Sequence, residues 1–534
     1  MTLLLKIRLS FLLGGMIYSL ACGASREPQE QWILTKEPSK TSWKNLLAPI
    51  KDFELLNTFG PHERYALVRS KGRNRTKLPK EIVSLQRNYT YEALEKNDPD
   101  FNQSWGLLNE GQNISTLGAG LKGVDVGAVK AWQLGQSRKL GVIAILDSGI
   151  DLRHPDLQNN LWFNKLELDP NGLDDDHNGF INDLNGWNFA DNTAVVQDDN
   201  NHGTAVAGVL AADAKNGKGS RGLLENAQLM IVKILDQNGT GTTERAVKGI
   251  EYAVNNGAQV INASWGGTLF DQVLFDTIQW ANDKGVLFVC AAGNEPKDND
   301  TDDRPIYPAS FHIPNVVSVA AHDSIGELAS FSSYGKKSVH LAAPGVAVYV
   351  PVREGYRFVD GTSFAAPFVA AASSLLKSFE PNLSPSQLRE RLIKNAVPMD
   401  YYTKEKLVSA GRLDVFSLLK NITTPSIATP TEWKRIPKTI ESQHPYLNDT
   451  YQVFEITQPD AKHLRAHFTK IDLEKSYDKI YLKDHQGKIA VTYTGSSEDF
   501  WSADVLGDVL KIELVTDFSN PKWGFSIDAV EYSL

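Results

Sequence analysis

Cysteine is nearly missing from this chain. Two occur in 534 residues, Cys22 and Cys290, and a disulfide-braced secreted scaffold is excluded. Cys290 lies inside the apolar run 286–292, where a free thiol behaves as a small hydrophobe. An excess of positive charge is missing too. Lys and Arg number 55 against 64 Asp and Glu, for a net charge of −9, which argues against a nucleic-acid partner. The one basic cluster, 64–80, reads as solvated surface. Beyond the N-terminus no apolar run is long enough to span a bilayer. What is present is globular material: 42% hydrophobic residues, ample for packed cores, on a length that suggests about three units.

The N-terminus has the pattern of an export signal, 1–21. Lys6 and Arg8 precede the apolar stretch 9–21, which is short for a membrane span. It ends in Ser19-Leu20-Ala21-Cys22-Gly23. That end resembles the lipobox of bacterial lipoproteins, which implies acylation of Cys22 and attachment to a membrane. Tyr18 and Ser19 depart from that pattern, and cleavage after Ala24 by an ordinary signal peptidase is the other reading. Both make the protein exported, as an envelope lipoprotein or secreted.

Residues 22–96 are charged and mixed, with candidate strands at 65–69 and 82–86. From 141 onward, apolar runs at 142–146, 229–235, 259–263, 286–292 and 316–320 suit parallel strands covered on both faces. Between them, 243–256 puts Ala246, Val247, Ile250, Ala253 and Val254 on one helical stripe and stops at Gly257. A second helix is expected over 275–284. This alternation predicts an α/β fold, a doubly wound and mostly parallel sheet. The prolines and threonines of 421–440 read as a linker. In 441–534 the period becomes two: Leu510, Ile512 and Leu514 point one way, Lys511 and Glu513 the other. That predicts a C-terminal antiparallel β-sandwich.

Three polar residues stand out against this frame. Asp147 ends the run 142–146 and precedes Ser148-Gly149. His202 opens His-Gly-Thr-Ala-Val-Ala-Gly, and Ser363 lies in Gly-Thr-Ser-Phe-Ala-Ala-Pro. Singly, each has an ordinary role: a turn former, a helix-start residue, an N-cap. Together, a carboxylate, an imidazole and a hydroxyl are what makes a serine oxygen nucleophilic near neutral pH. Ser363 is expected just before a helix at 364–376, with Pro367 in the first turn. Asn294 and Ser264-Trp265-Gly266-Gly267 end two further strands, at the sheet edge where ligands bind in open α/β folds.

These motifs, in the order Asp, His, Ser, resemble those of the subtilisin-like serine proteases over 97–420. The resemblance implies that 22–96 is a propeptide and that Asn294 is an oxyanion-hole donor. It implies substrate walls at Ser264, Trp265 and Gly266 and at Ala292 and Gly293, with Ile306 shortening the pocket between them. Asn201 replaces the usual Gly before the His, and Phe364 and Phe368 replace Met and His.

Metal ligands are expected as well. Asp174, Asp176, Asn178 and Asn182 stand at positions 1, 3, 5 and 9 of an EF-hand-like loop with Gly179 at 6, hard donors suited to Ca²⁺. Asn185 occupies position 12, where Glu is usual. Asp156 matches a calcium ligand of the family, and Asp298, Asp300, Asp302 and Asp303 form an acidic loop that is either a Ca²⁺ site or solvated. The final domain resembles CUB domains, in which an acidic trio, here Glu474, Asp478 and Asp517, holds calcium. The resulting expectation is an exported, calcium-stabilised serine endopeptidase acting on polypeptides. The rival is an idle envelope protein that binds through its last domain.

Overall fold

The computed structural model describes residues 31–37, 41–70, 78–87, 98–115, 117–135, 140–167, 171–425, 428–475 and 477–534. The expected export signal, Cys22 and Asn97 lie outside them. The chain divides into two compact units, Met1–Leu94 and Glu95–Leu534. No helix among the described residues is long and apolar enough to cross a membrane.

In the first unit, β1 (Gln31–Lys36), β2 (Phe53–Phe59), β3 (Tyr65–Ser70) and β4 (Ile82–Arg87) form an antiparallel sheet in the order β2-β3-β1-β4. Helix α1 (Trp43–Leu47) is capped by Ser42, whose Oγ accepts the Asn45 N–H at 3.3 Å. It lays Trp43, Leu46 and Leu47 on Leu34, Ala66 and Val68.

The second unit is built on a nine-stranded sheet. Its first half holds α2 (Ala128–Trp132), β5 (Val142–Asp147), β6 (Gly186–Asn188), α3 (His202–Ala211), β7 (Gln228–Lys233), α4 (Thr243–Asn255), β8 (Ala258–Ala263), α5 (Gln272–Asp283) and β9 (Leu287–Ala291). Then come β10 (Val316–His322), β11 (Leu341–Pro344), the hairpin β12 (Val348–Val352) and β13 (Gly355–Val359), α6 (Thr362–Phe379), α7 (Pro385–Lys394), β14 (Val397–Pro398), β15 (Gly411–Arg412) and α8 (Val415–Lys420). The order is β14-β15-β11-β10-β9-β8-β5-β7-β6, parallel except for β14 against β15. Alternation along the strands feeds two cores. Ile143, Ile145 and Val289 pack with α3 and α6 on one face. Ala144, Leu146 and Phe288 pack with α4 and α5 on the other. Cys290 is fully buried and unbridged, and burial pushes its thiol pKa up.

One element differs from its expected bounds in a way that matters. Helix α6 begins at Thr362, so Ser363 sits inside its first turn and Pro367 lies a turn further in. Pro367 has no N–H to offer the carbonyl four residues back. That carbonyl belongs to Ser363, and it accepts the Ser264 hydroxyl at 2.7 Å instead.

The remaining strands are β16 (Lys434–Glu441), β17 (Tyr451–Thr457), β18 (His463–Asp472), β19 (Lys479–Lys483), β20 (Ile489–Tyr493), β21 (Ser496–Trp501), β22 (Val505–Leu506), β23 (Val509–Val515) and β24 (Gly524–Ser533). They form two antiparallel sheets, β16-β24-β18-β21 with β22 on β18, and β17-β23-β19-β20, consistent with a β-sandwich. Phe468, Phe525, Ile480 and Ile512 fill its core. Part of the expected linker is therefore strand. β16 is an edge strand, where Pro437 is tolerated beside a register shift, and Ile436 and Ile440 face the core. The sandwich and the α/β domain share one compact unit because Tyr402 is 3% exposed inside the sandwich core. Its hydroxyl donates to Asp484 at 2.8 Å and accepts the Leu506 N–H at 3.2 Å.

Candidate active site

Asp147 is the last residue of β5 and His202 the first of α3. Their approach is fixed by close backbone packing: a Cβ on Gly203 would overlap the Gly149 carbonyl. Asn201 enters the helix at φ 85°, a left-handed geometry that Asn tolerates. The buried Asp198 also holds this turn. It accepts the Ser148 hydroxyl at 2.9 Å, the N–H groups of Asn200, Asn201 and Thr204 at 2.9–3.0 Å, and the Thr204 hydroxyl at 2.5 Å. Lys233, 1% exposed, donates to the Ser148 carbonyl at 2.7 Å and pairs with Asp199 at 2.7 Å. Neither Asp198 nor Lys233 was expected, since each is an isolated residue outside the three motifs.

His202 Nδ1 lies 2.8 Å from Asp147 Oδ1, the Asp147 side chain 1% and the His202 side chain 26% exposed. Burial works against charge on the imidazole. The Asp147 charge and hydrogen bond, with the Asp198 charge behind them, outweigh it and hold the His202 pKa above its ordinary value. Ser363 is 9% exposed. Its Oγ donates to the Ser264 carbonyl at 3.0 Å rather than to His202, a resting rotamer that a χ1 turn can exchange. The Phe364 ring, 5.5 Å from the imidazole between centroids, packs beside it.

Asn294 follows β9 and is exposed. Its Oδ1 accepts both the N–H of Thr362 at 2.9 Å and the hydroxyl of Thr362 at 2.8 Å. The amide is thereby turned so that Nδ2 stays unspent, close to the start of α6, where first-turn N–H groups lack helical acceptors. Gly266 and Gly293 face each other across Ile306: a Cβ on either would come within 2.8 Å or 2.7 Å of that side chain. Ile306 thus fills the space next to both glycines. Trp265 donates its indole N–H to the Leu146 carbonyl at 2.9 Å. Ser264 and Ala292 are buried. Ala292 is fully buried, its N–H bonded to Val319 and its C=O to Asn299.

The acidic groups divide. Asp174 and Asp176 converge with Glu167, which was not expected, their carboxylate oxygens within 4.8 Å of one another. Glu167 is 2% exposed, and burial with the Asp183 and Asp176 charges raises its pKa. It lies seven residues upstream of Asp174, out of phase with any loop pattern. The carbonyl oxygens of Asn178 and Asn182 are taken by the N–H groups of Phe180 at 2.8 Å and Gly172 at 3.3 Å. Asp156 is spent on Tyr356 at 2.6 Å and Asn216 at 2.7 Å, and joins no three-carboxylate group among the described residues. Asp298, Asp300, Asp302 and Asp303 do not converge either; Asp303 pairs with Lys475. Glu474, Asp478 and Asp517 do converge within 4.8 Å. Asp478 is fully buried and accepts the Tyr446 hydroxyl and, at 2.8 Å, the Asp517 N–H.

A parallel α/β sheet carrying Asp, His and Ser in this order at its carboxyl ends defines the class. A model of the subtilase family matches residues 139–419, and the chain belongs to that family. It is 34% identical over 291 residues to Subtilisin-like protease 1 of Plasmodium falciparum, covering 51% of this chain and 42% of that protein. It is also 34% identical over 295 residues to the Major intracellular serine protease of Bacillus subtilis, covering 54% and 85%. Thermitase of Thermoactinomyces vulgaris matches at 34% over 252 residues, 47% and 79%. The chain thus spans less than half the length of the Plasmodium relative.

Proposed function

We propose that the protein is a serine endopeptidase, exported and calcium-stabilised, made as a precursor whose first unit is a propeptide. The observation that carries this reading is the Asn294 amide, pinned through Oδ1 by Thr362 with Nδ2 free, beside Ser363 and the His202–Asp147 pair. In the reaction, Ser363 Oγ bonds to the scissile carbonyl carbon as its proton passes to His202 Nε2. Asp147 holds the imidazolium, while Asn294 Nδ2 and the Ser363 N–H stabilise the oxyanion. His202 then gives the proton to the departing amine, and water reverses the sequence to free the acid. An extended polypeptide would lie along Ser264–Gly266, its side chain entering the short pocket closed by Ile306.

Both carboxylate trios fit Ca²⁺. Each is a set of hard oxygens close enough to repel, with no lysine or arginine paired to it among the described residues. A bound ion would supply the missing positive charge. The CUB-like character of the last domain and acylation at Cys22 complete the proposal.

The test is labelling with a serine-directed fluorophosphonate. Wild type should react and Ser363→Ala should not, and the variant should accumulate with its N-terminal unit attached. No labelling of wild type, or equal labelling of both, overturns the peptidase reading. Normal trimming of Ser363→Ala overturns self-processing alone.

A further inference from the structure

Strands β10 and β11 carry a second polar site at their amino ends, opposite the carboxyl ends that hold Asp147 and Asn294. A cavity of about 270 Å³ there is lined by His312, Lys337, His340 and Arg389, with Phe311 and Ile393 among its apolar walls. No carboxylate lines it. His340, just before β11, is 7% exposed. Its Nδ1 accepts the Ser318 N–H at 3.0 Å, so in the neutral ring the proton sits on Nε2. That Nε2–H has no partner among the described residues, and the ring borders the cavity. Burial, with Arg389 and His312 nearby, pushes the His340 pKa down to about 3 and keeps the ring a neutral donor. Arg389 comes from α7 and spends Nη1 on the Ile313 carbonyl at 2.9 Å, which leaves the rest of its guanidinium to the cavity. Lys337 and His312 stand at the exposed rim.

A ring N–H with no protein acceptor among the described residues and two cations form a cradle for negative oxygen. No acid is in the lining, although Glu390 stands close enough to act on Arg389 and Asp300 accepts the Lys337 backbone N–H at 2.7 Å. We propose that this cavity binds a small multivalent oxyanion of the phosphate type, held by Arg389, Lys337 and the Nε2–H of His340. An occupant ties α7 to the foot of the central sheet and stabilises the folded unit by mass action. The assignment is independent of the peptidase reading, because the site lies at the other end of the strands and its test reads binding.

The experiment titrates full-length Ser363→Ala protein, which cannot digest itself if the peptidase reading holds, with inorganic phosphate at constant ionic strength, chloride making up the balance. Calorimetry and the thermal midpoint should both report saturable binding at one site. Arg389→Gln and Lys337→Gln should each weaken it, together by at least about tenfold, since each removes a charge-assisted bond. Acetate, a monoanion, should bind at least about tenfold more weakly than phosphate. Lys337 is at the rim, so its variant folds even if loss of the Arg389–Ile313 bond loosens α7. A midpoint that climbs with salt without saturating, or phosphate affinity unchanged by Lys337→Gln, overturns the site. Equal binding of acetate overturns its preference for a multivalent anion.

Discussion

Thr362→Val tests how the proposed oxyanion donor is aimed. The side chain is fully buried, and valine keeps its shape while deleting the hydroxyl. That hydroxyl accepts the Gly293 N–H at 3.2 Å and donates to Asn294 Oδ1 at 2.8 Å. The Thr362 N–H still reaches the same oxygen at 2.9 Å, so Asn294 keeps one of two anchors. Leaving the part-buried Gly293 N–H unpaired costs less than the ~1–3 kcal/mol of a fully buried donor, most of it felt as stability. The kinetic effect has a ceiling: loss of a whole oxyanion donor costs roughly 10²–10³ in kcat, a range drawn from subtilisin itself. A loosened donor should cost less, about 5- to 50-fold in kcat with KM nearly unchanged. The assay is kcat and KM on a short chromogenic peptide for wild type, Thr362→Val, Asn294→Ala and the double variant. Because the hydroxyl acts through the Asn294 amide, Thr362→Val should do almost nothing in the Asn294→Ala background. Equal losses in both backgrounds would refute the argument.

Three further outcomes follow from the geometry. His202 must be neutral to act as base, and its pKa is held above the ordinary value of about 6.5. Activity should therefore fall as pH drops through a midpoint above that value, and Asp198→Asn should lower the midpoint; an unmoved profile would contradict the role given to Asp198. Calcium at about a hundredfold above its Kd should add about 2.7 kcal/mol per site, with Glu167→Gln and Asp517→Ala each removing one share. A wild-type melting curve identical in chelator and in millimolar calcium would sink that proposal. Tyr402→Ala should cost about 3–5 kcal/mol, the range for removing a large buried ring. Calorimetry on the Ser363→Ala background should show it adding one transition, whereas an unchanged number of transitions would mean that Tyr402 does not couple the sandwich to the α/β domain.

Much of the candidate site is legible in the chain because its chemistry is local. Asp147, His202, Ser363 and Asn294 each sit where a strand or helix begins or ends, beside the small residues that such turns require. Apolar runs and alternation exposed the central sheet and the β-sandwich, since periods of 3.6 and 2 follow from backbone geometry alone. The sequence pattern puts the helix start at Phe364 and the structure puts it at Thr362, because Gly361 and Thr362 are poor helix signals, while Pro367 usually marks a first turn. Here Ser264 satisfies the carbonyl that Pro367 leaves open, and the helix runs on through it.

What only the tertiary structure decided are the contacts between residues with no rhythm linking them. Glu167 joins Asp174 and Asp176, Asp198 gathers the turn before His202, and Tyr402 enters the core of a sandwich that starts thirty or so residues later. His340, Lys337 and Arg389 meet at one cavity from three separate segments. Periodicity reports which face of an element is buried. It carries no record of which distant side chain arrives to satisfy a buried polar atom, because that is set by how the elements pack.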